Sequence, residues 1–493
     1  MIAAHLPALQ VVVPLISAPL CLLLRRPGAA WTVALAVSWF ALAVALSLLI
    51  EVSIGGPVSY PIGDWAAPWG IEYRVDQVGA LVLVIVTAIG AVVMPFAGAS
   101  VAHEIASDRA YLFYTMYLLC LTGLLGIAIT GDVFNLFVFL EISSLSSYVL
   151  ISMGQDRRAL TAAYNYLVMG TVGATFYVIG VGMMYMMTGT LNMADLATRL
   201  PAVADTRTIL MALAFLTVGL SLKLALFPLH TWLPNAYTYA PSVVTAFLAA
   251  TATKVAVYAF IRVYFTVFGE VDLFEIAPMV PILMVLALAG MFVGSAVAIF
   301  QNNLKRMLAY SSIAQIGYMV LGLSFASVTG LAGGIIHLFN HALMKSALFL
   351  ALGCVVLRLG TVHIDGLQGL GRRMPLTMAA FVVGGLSLIG VPLTVGFISK
   401  WYLVQAALEK GWWPIAGLIV LSSLLAVIYV WRVVEIAYFR PAPEGSAAVE
   451  EAPIFMLAPT WIMAGASIYF GIDATDTLEV ARGAAEFLIK GAP

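Results

Sequence analysis

Apolar runs about twenty residues long follow one another along nearly the whole chain, separated by short polar or proline- and glycine-rich connections. A helix that crosses a bilayer needs about 20 such residues, and the runs predict fourteen spanning helices. They fall at roughly 4–24, 30–50, 77–98, 111–130, 133–152, 160–188, 208–229, 241–268, 279–300, 304–326, 329–358, 375–407, 412–439 and 453–472. Two segments carry breakers. The seventh ends in LFPLHTWLP, with Pro228 and Pro234, and the twelfth contains LIGVPLTVGF, with Gly390, Pro392 and Gly396. Both are expected to be discontinuous helices, because irregular backbone at membrane depth is tolerated only inside protein or along a cavity. The pattern predicts an all-α polytopic membrane protein.

The connections add an orientation. Arg25–Arg26, Arg157–Arg158, Lys305–Arg306, Arg358 with Arg372–Arg373, and Arg432 with Arg440 all follow odd-numbered segments. Connections after even segments are neutral or acidic, as with Glu270, Asp272 and Glu275. Basic loops stay in the cytoplasm, so both termini are expected outside. The first apolar segment has no basic stretch before it and no cleavage motif after it, and is expected to span the membrane rather than act as a signal peptide. The connection at 51–76 holds Pro57, Pro61, Pro68, Trp65 and Trp69 and is expected to form an ordered extracytoplasmic cap; 441–452 is expected to be a polar cytoplasmic loop.

A weak internal repeat is visible at an offset of 168, where Asn135-Leu136, Leu140 and Ser143-Ser144 match Asn303-Leu304, Leu308 and Ser311-Ser312. Lys223 and Lys400 stand beside the two broken segments at an offset of 177. The expectation is one membrane domain over 1–493, built around repeats at about 111–268 and 279–439. Each repeat would hold five helices, segments 4–8 and 9–13, and five is an odd number, so one repeat would be inverted relative to the other.

Composition agrees with this reading. The chain is 63% hydrophobic and 10% charged, against about 25% charged in a soluble domain. A net charge of −1, with no basic arm or acidic tail, removes a case for nucleic acid. Cys21, Cys120 and Cys354 are isolated in apolar runs and read as filler. No P-loop, dinucleotide fingerprint, haem or iron–sulfur pattern occurs, so no cofactor is implied.

Against that background, a few charges stand out. Only seven residues are lysine, and Lys223, Lys254, Lys345 and Lys400 interrupt apolar runs. Glu141, in VFNLFVFLEISSLSSYVL, adds a carboxylate in the same setting. A charge at mid-bilayer costs ~3 kcal/mol, so each such residue needs a function or a partner. Glu141 is a candidate for coupling, with a helix-locking ion pair as its bland alternative. Lys223, five residues before Pro228, releases a proton if burial dominates and holds it if Glu141 is near. Lys254 is too central to snorkel. His337, His341 and Lys345 fall at i, i+4 and i+8 on one helical face, about 6 Å apart, where protons can pass through intervening water. Plain core histidines are the alternative there, and a metal reading lacks a third ligand. Lys400 reads as an exit group or a snorkelling lysine. His230, Asp132, Arg262 and Arg432 lie near predicted helix ends, where interfacial anchoring is at least as good a reading.

The segments FNLFVFLEISSLSSYVLI, LKLALFPLHTWLPNAYTYAPSVVTAFLAATATKVAVYAFIR, LKRMLAYSSIAQIGYMVLGL and VPLTVGFISKWYLV resemble the proton-translocating, antiporter-like subunits of respiratory complex I and the Mrp antiporters. The resemblance runs over about 75–440 and extends to order, spacing and breakers. Within the family the chain looks most like the MrpD branch. It stops soon after the fourteenth segment with a short polar tail, where MrpA-like chains continue with a lateral helix, and segment twelve carries Lys400 where one complex I subunit type has glutamate.

The resemblance implies roles. Glu141 and Lys223 would form the coupling pair, Lys254 the central lysine, His337 the histidine of segment eleven and Lys400 the terminal lysine, with His341 and Lys345 beside them. It implies a secondary-active ion transporter subunit rather than an enzyme, in the plasma membrane, moving H⁺ along a buried axis to drive Na⁺ extrusion. Its partners would be MrpA, MrpC and the remaining small membrane subunits. The alternative is the proton-pumping membrane subunit of a complex I-like NADH dehydrogenase or a membrane-bound hydrogenase.

Overall fold

The computed structural model describes residues 3–269, 271, 277–442 and 449–490. Nineteen α-helices occur among them. They are α1 Leu6–Leu24, α2 Pro27–Gly55, α3 Gln77–Glu104, α4 Ala110–Ile129, α5 Val133–Ser152, α6 Arg158–Thr188, α7 Met193–Arg199, α8 Arg207–Leu224, α9 Leu233–Tyr239 and α10 Ser242–Arg262. The second half contains α11 Met279–Ile299, α12 Leu304–Ser324, α13 Val328–Leu359, α14 Leu370–Arg373, α15 Pro375–Ile389, α16 Val395–Glu409, α17 Trp413–Val434, α18 Ile454–Ile472 and α19 Thr475–Lys490. Among the described residues thirteen helices are long and apolar enough to cross a membrane, and the chain is a multi-pass membrane protein. The paired short helices α15 and α16 supply the one remaining expected segment, the twelfth.

Both expected breaks are present, each with a local cause. In the seventh segment α8 stops at Leu224, earlier than the expected 229, because Ala225 turns left-handed at φ 59 and Pro228 follows. The chain resumes as a helix at Leu233, with Pro234 in its first turn. In the twelfth segment Gly390 (φ +90) ends α15, and α16 begins at Val395. Gly396 lies so close to α15 that a Cβ there would sit 1.8 Å from the Ser387 carbonyl oxygen. Only glycine permits that approach.

The helices are graded from lipid to core. One side of α1, α2, α6, α11 and α17 is exposed, while α10 and α12 are buried along nearly their whole length. The central helix α10 packs against α13, α3, α8 and α4. Buried helices need polar ends satisfied. Glu104, at the end of α3, caps α10 from outside, accepting from the Ser242 N–H at 2.9 Å and its hydroxyl at 3.0 Å. Asp132, Asn192, Asn303 and Ser327 cap their own helices.

The expected cap at 51–76 is ordered as an antiparallel hairpin of β1 Val58–Pro61 and β2 Glu72–Val75, with Val58 opposite Val75. The tail differs from expectation. It is a helix, α19, whose Ala481, Ala484, Ala485 and Leu488 are buried, and it packs on α3 and α13. Small side chains at helical spacing carry that contact. The acidic residues Glu270, Asp272 and Glu275, and residues 443–448 of the polar loop, lie outside the described residues.

Candidate functional site

The first pair forms because α8 ends early, which puts Lys223 in its last turn facing α5. Lys223 Nζ donates to Glu141 Oε1 at 2.9 Å and to Ser144 Oγ at 2.9 Å. The lysine side chain is 4% exposed and the glutamate 23%. A cavity of about 20 Å³ adjoins the pair, lined by Lys223, Ser143, Ser144, Ser147 and Tyr166, with Ala252 and Ala256 of α10 opposite. That is room for a single water. The cavity is shared by Lys223 and the helix that carries Lys254.

Lys254 is fully buried at the middle of α10. It donates to the Ala249 carbonyl, and Thr253 Oγ1 lies at 3.4 Å. On α13 the expected face is realised: the rings of His337 and His341 lie parallel, centroids 6.1 Å apart. His341 is within electrostatic reach of Lys254, Lys345, His337 and Lys400. His337 Nδ1 meets Ser399 Oγ at 2.8 Å, while His337 Nε2 and both His341 nitrogens have no hydrogen-bond partner among the described residues. Buried polar atoms of that kind are usually satisfied by ordered water. Lys345 donates to the Leu308 carbonyl at 2.7 Å and to Ser311 Oγ.

Lys400 shows why the twelfth segment is broken. Its ammonium donates to the carbonyls of Leu388 (3.0 Å) and Ile389 (2.9 Å), which end α15 and have no helical partner. A cation at a helix C-terminus is favoured by the free carbonyls and the dipole. The same ammonium lies 4.9 Å above the Tyr318 ring. At 6% exposure Lys400 does not snorkel.

All seven residues singled out from the sequence are therefore in the interior or at its edge, in two groups. Glu141 and Lys223 form one; Lys254, Lys345, His341, His337 and Lys400 form the other. Among the described residues, none of Lys254, Lys345 and Lys400 forms an ion pair. Bases without a fixed counter-charge, close enough to feel one another, can exchange a proton but cannot all carry one at once.

The helix-end residues stand apart from this row. Asp132 caps α5 through the Phe134 and Asn135 N–H groups, and Arg432 donates to the carbonyls of Ile299 and Gln301 and to Asn302. His230 is half-buried, its ring 5.3 Å from that of Phe227. Arg262, expected as an interfacial anchor, is instead 6% exposed and bonded to Asp76 through both guanidinium arms, one at 2.6 Å. It also donates to the Tyr258 hydroxyl at 2.8 Å. Burial opposes ionisation of Asp76, yet the Arg262 charge and hydrogen bonds, the Gly79 N–H and Arg74 hold its carboxyl below the usual aspartate value. Asp76, Ser399 and Tyr318 were not singled out from the sequence, and Ser144 only as part of the repeat. Ser399, adjacent to Lys400, was the most accessible of these, since a hydroxyl beside a membrane lysine is itself a polar signal.

Comparison with known proteins gives a consistent picture. The family described as NADH:quinone oxidoreductase/Mrp antiporter, TM, matches residues 130–426. The chain is 42% identical over 489 residues to NADH-quinone oxidoreductase subunit N of Desulforudis audaxviator, covering 95% of this chain and 96% of that protein. It is 31% identical over 444 residues to the putative antiporter subunit mnhD2 of Staphylococcus aureus, covering 90% and 87%. Its fold superposes on a chain of the Mrp complex from Dietzia sp. with a TM-score of 0.90 at 27% identity, covering 99% and 98%.

Proposed function

The chain belongs to the NADH:quinone oxidoreductase/Mrp antiporter membrane family, and on that premise we propose that it is the proton-translocating, MrpD-type subunit of a multisubunit Na⁺/H⁺ antiporter. The observation that carries the reading is the Glu141–Lys223 pair, its lysine buried and its glutamate partly exposed, at the head of a line of unpaired bases. When Glu141 holds Lys223, the lysine keeps its proton; when the pair opens, that proton moves towards the water-sized cavity and α10. Lys254 receives it, and His341, His337 and Lys400 pass it on. His341 and Lys345 belong to the same line, since both are within electrostatic reach of Lys254. Inward proton flow would power Na⁺ extrusion through the complex, with MrpA, MrpC and the small subunits as partners, in the plasma membrane with both termini outside.

Two features support reading 111–268 and 279–439 as repeats. Asp132 caps α5 and bridges to Asn192; Asn303 caps α12 and bridges to His363. Each broken segment carries a buried lysine, Lys223 or Lys400.

The 42% identity to an NADH-quinone oxidoreductase subunit favours a second reading, in which a redox reaction elsewhere drives the same proton row. One experiment separates them. Everted vesicles containing all co-encoded subunits are given a pH gradient, and Na⁺ is added. Collapse in wild type, lost in an assembled Lys223→Ala variant, supports antiport through this chain. No Na⁺ response in wild type moves the conclusion to the redox-driven pump.

A further inference from the structure

The contact between α12 and α17 holds a second set of buried polar groups beside the histidine row. Tyr429 and Ser422 of α17 are buried, and neither hydroxyl has a hydrogen-bond partner among the described residues. Tyr429 nevertheless lies within reach of Ser311 and of Tyr318 on α12. Ser311 is the hydroxyl to which Lys345 donates. Tyr318 makes two long hydrogen bonds, 3.3 Å to the Ile419 carbonyl and 3.3 Å to Ser423 Oγ, and lies within reach of Ser422. Its ring lies 4.9 Å from the Lys400 ammonium and 5.5 Å from the His337 ring. Orphaned hydroxyls gathered at one buried contact call for bridging water.

The geometry points to a second proton branch, from Lys345 through Ser311, Tyr429 and Tyr318 to Lys400, bridged by water between α12 and α17. It rests on the proton row proposed above and runs parallel to His341 and His337. The Lys345 ammonium gives a proton to the Ser311 oxygen or its bridging water, whose own proton passes on to Tyr429. The Tyr318 hydroxyl and bridging water deliver a proton to the neutral Lys400 amine. Each oxygen gains one proton and loses one, so that Lys345 ends neutral and Lys400 charged. Tyr318 has a further task, because its ring face attracts the charged form of Lys400 whether or not the hydroxyl is present.

The test uses everted vesicles with the full set of co-encoded subunits and reads the initial rate of Na⁺-dependent proton movement. Tyr429→Phe removes one oxygen and keeps the shape. Tyr429→Phe and His341→Ala should each slow exchange by less than ~10-fold, and the two together by ~100-fold or more beyond the product of the singles. A pair that is merely the product of its singles overturns the branch. Tyr318→Phe should leave the pH at which exchange fails unchanged, whereas Tyr318→Leu should move it to lower pH. Identical profiles for those two variants overturn the role of the ring. No exchange in wild type would sink the antiporter reading and the branch with it; exchange in wild type with an additive pair sinks the branch alone.

Discussion

Lys223 on α8 donates to the carboxylate of Glu141 on α5 at 2.9 Å, a contact between residues 82 apart in the chain. The two partners are unequally enclosed, the lysine side chain 4% exposed and the glutamate 23%. Removing the glutamate charge therefore strands the better buried member. Glu141→Gln should abolish Na⁺-dependent proton movement and lower stability by about 1–3 kcal/mol, below the usual cost of breaking a fully buried pair because Glu141 is partly exposed. Adding Lys223→Met should restore much of the stability and none of the activity. Thermal unfolding of the solubilised complex, beside the vesicle assay, reads both; recovery of exchange in the double variant would remove the pair from the mechanism.

The Asp76–Arg262 pair makes a contrasting prediction. It anchors the start of α3 to the end of α10, and the hydrogen-bond partners of Arg262, namely Asp76, Tyr258 and Thr266, lie outside the row. Asp76→Ala should cost about 3–5 kcal/mol by leaving Arg262 buried and unpaired. The Asp76 carboxyl is held low in the folded chain, so its contribution is complete above the unfolded aspartate value of about 3.9 and disappears as pH falls through the lower folded value. Unfolding midpoints between neutral and strongly acidic pH should converge for wild type and Asp76→Ala.

Glu104 caps α10 from a neighbouring helix. Glu104→Ala should destabilise the protein by about 1.5–3 kcal/mol, the range for hydrogen bonds to a charged group. Hydrogen exchange should rise first in the N-terminal turn of α10; unchanged protection there would contradict the assignment.

Gly396 and Gly417 form an internal control. A Cβ at Gly396 would lie 1.8 Å from a backbone carbonyl, and one at Gly417 would meet nothing within 4 Å. Gly396→Ala should cost about 1–3 kcal/mol through overpacking, displace Lys400 from the end of α15 and slow exchange. Gly417→Ala, within α17, should be neutral or stabilising by up to ~1 kcal/mol. Equal melting temperatures for the two variants would show that the break yields freely.

Hydrophobic periodicity alone determined the number and position of the spanning segments, because a bilayer demands helices of one length whatever lies beside them. It also located both breaks, since proline and glycine act on their own backbone. The charged residues of the row were legible for the same reason: a lysine within an apolar run is anomalous without knowledge of its neighbours. Tertiary structure decided which of them meet. That Arg262 pairs with Asp76 rather than anchoring at an interface depends on residues 186 apart. That Lys223 meets Glu141 while Lys254 is left with carbonyl and hydroxyl partners depends on where α8 stops and on how α5, α8 and α10 pack. The hydroxyls of Tyr318 and Tyr429 gave little signal, because a tyrosine in a membrane helix becomes distinctive only when a base is placed against it.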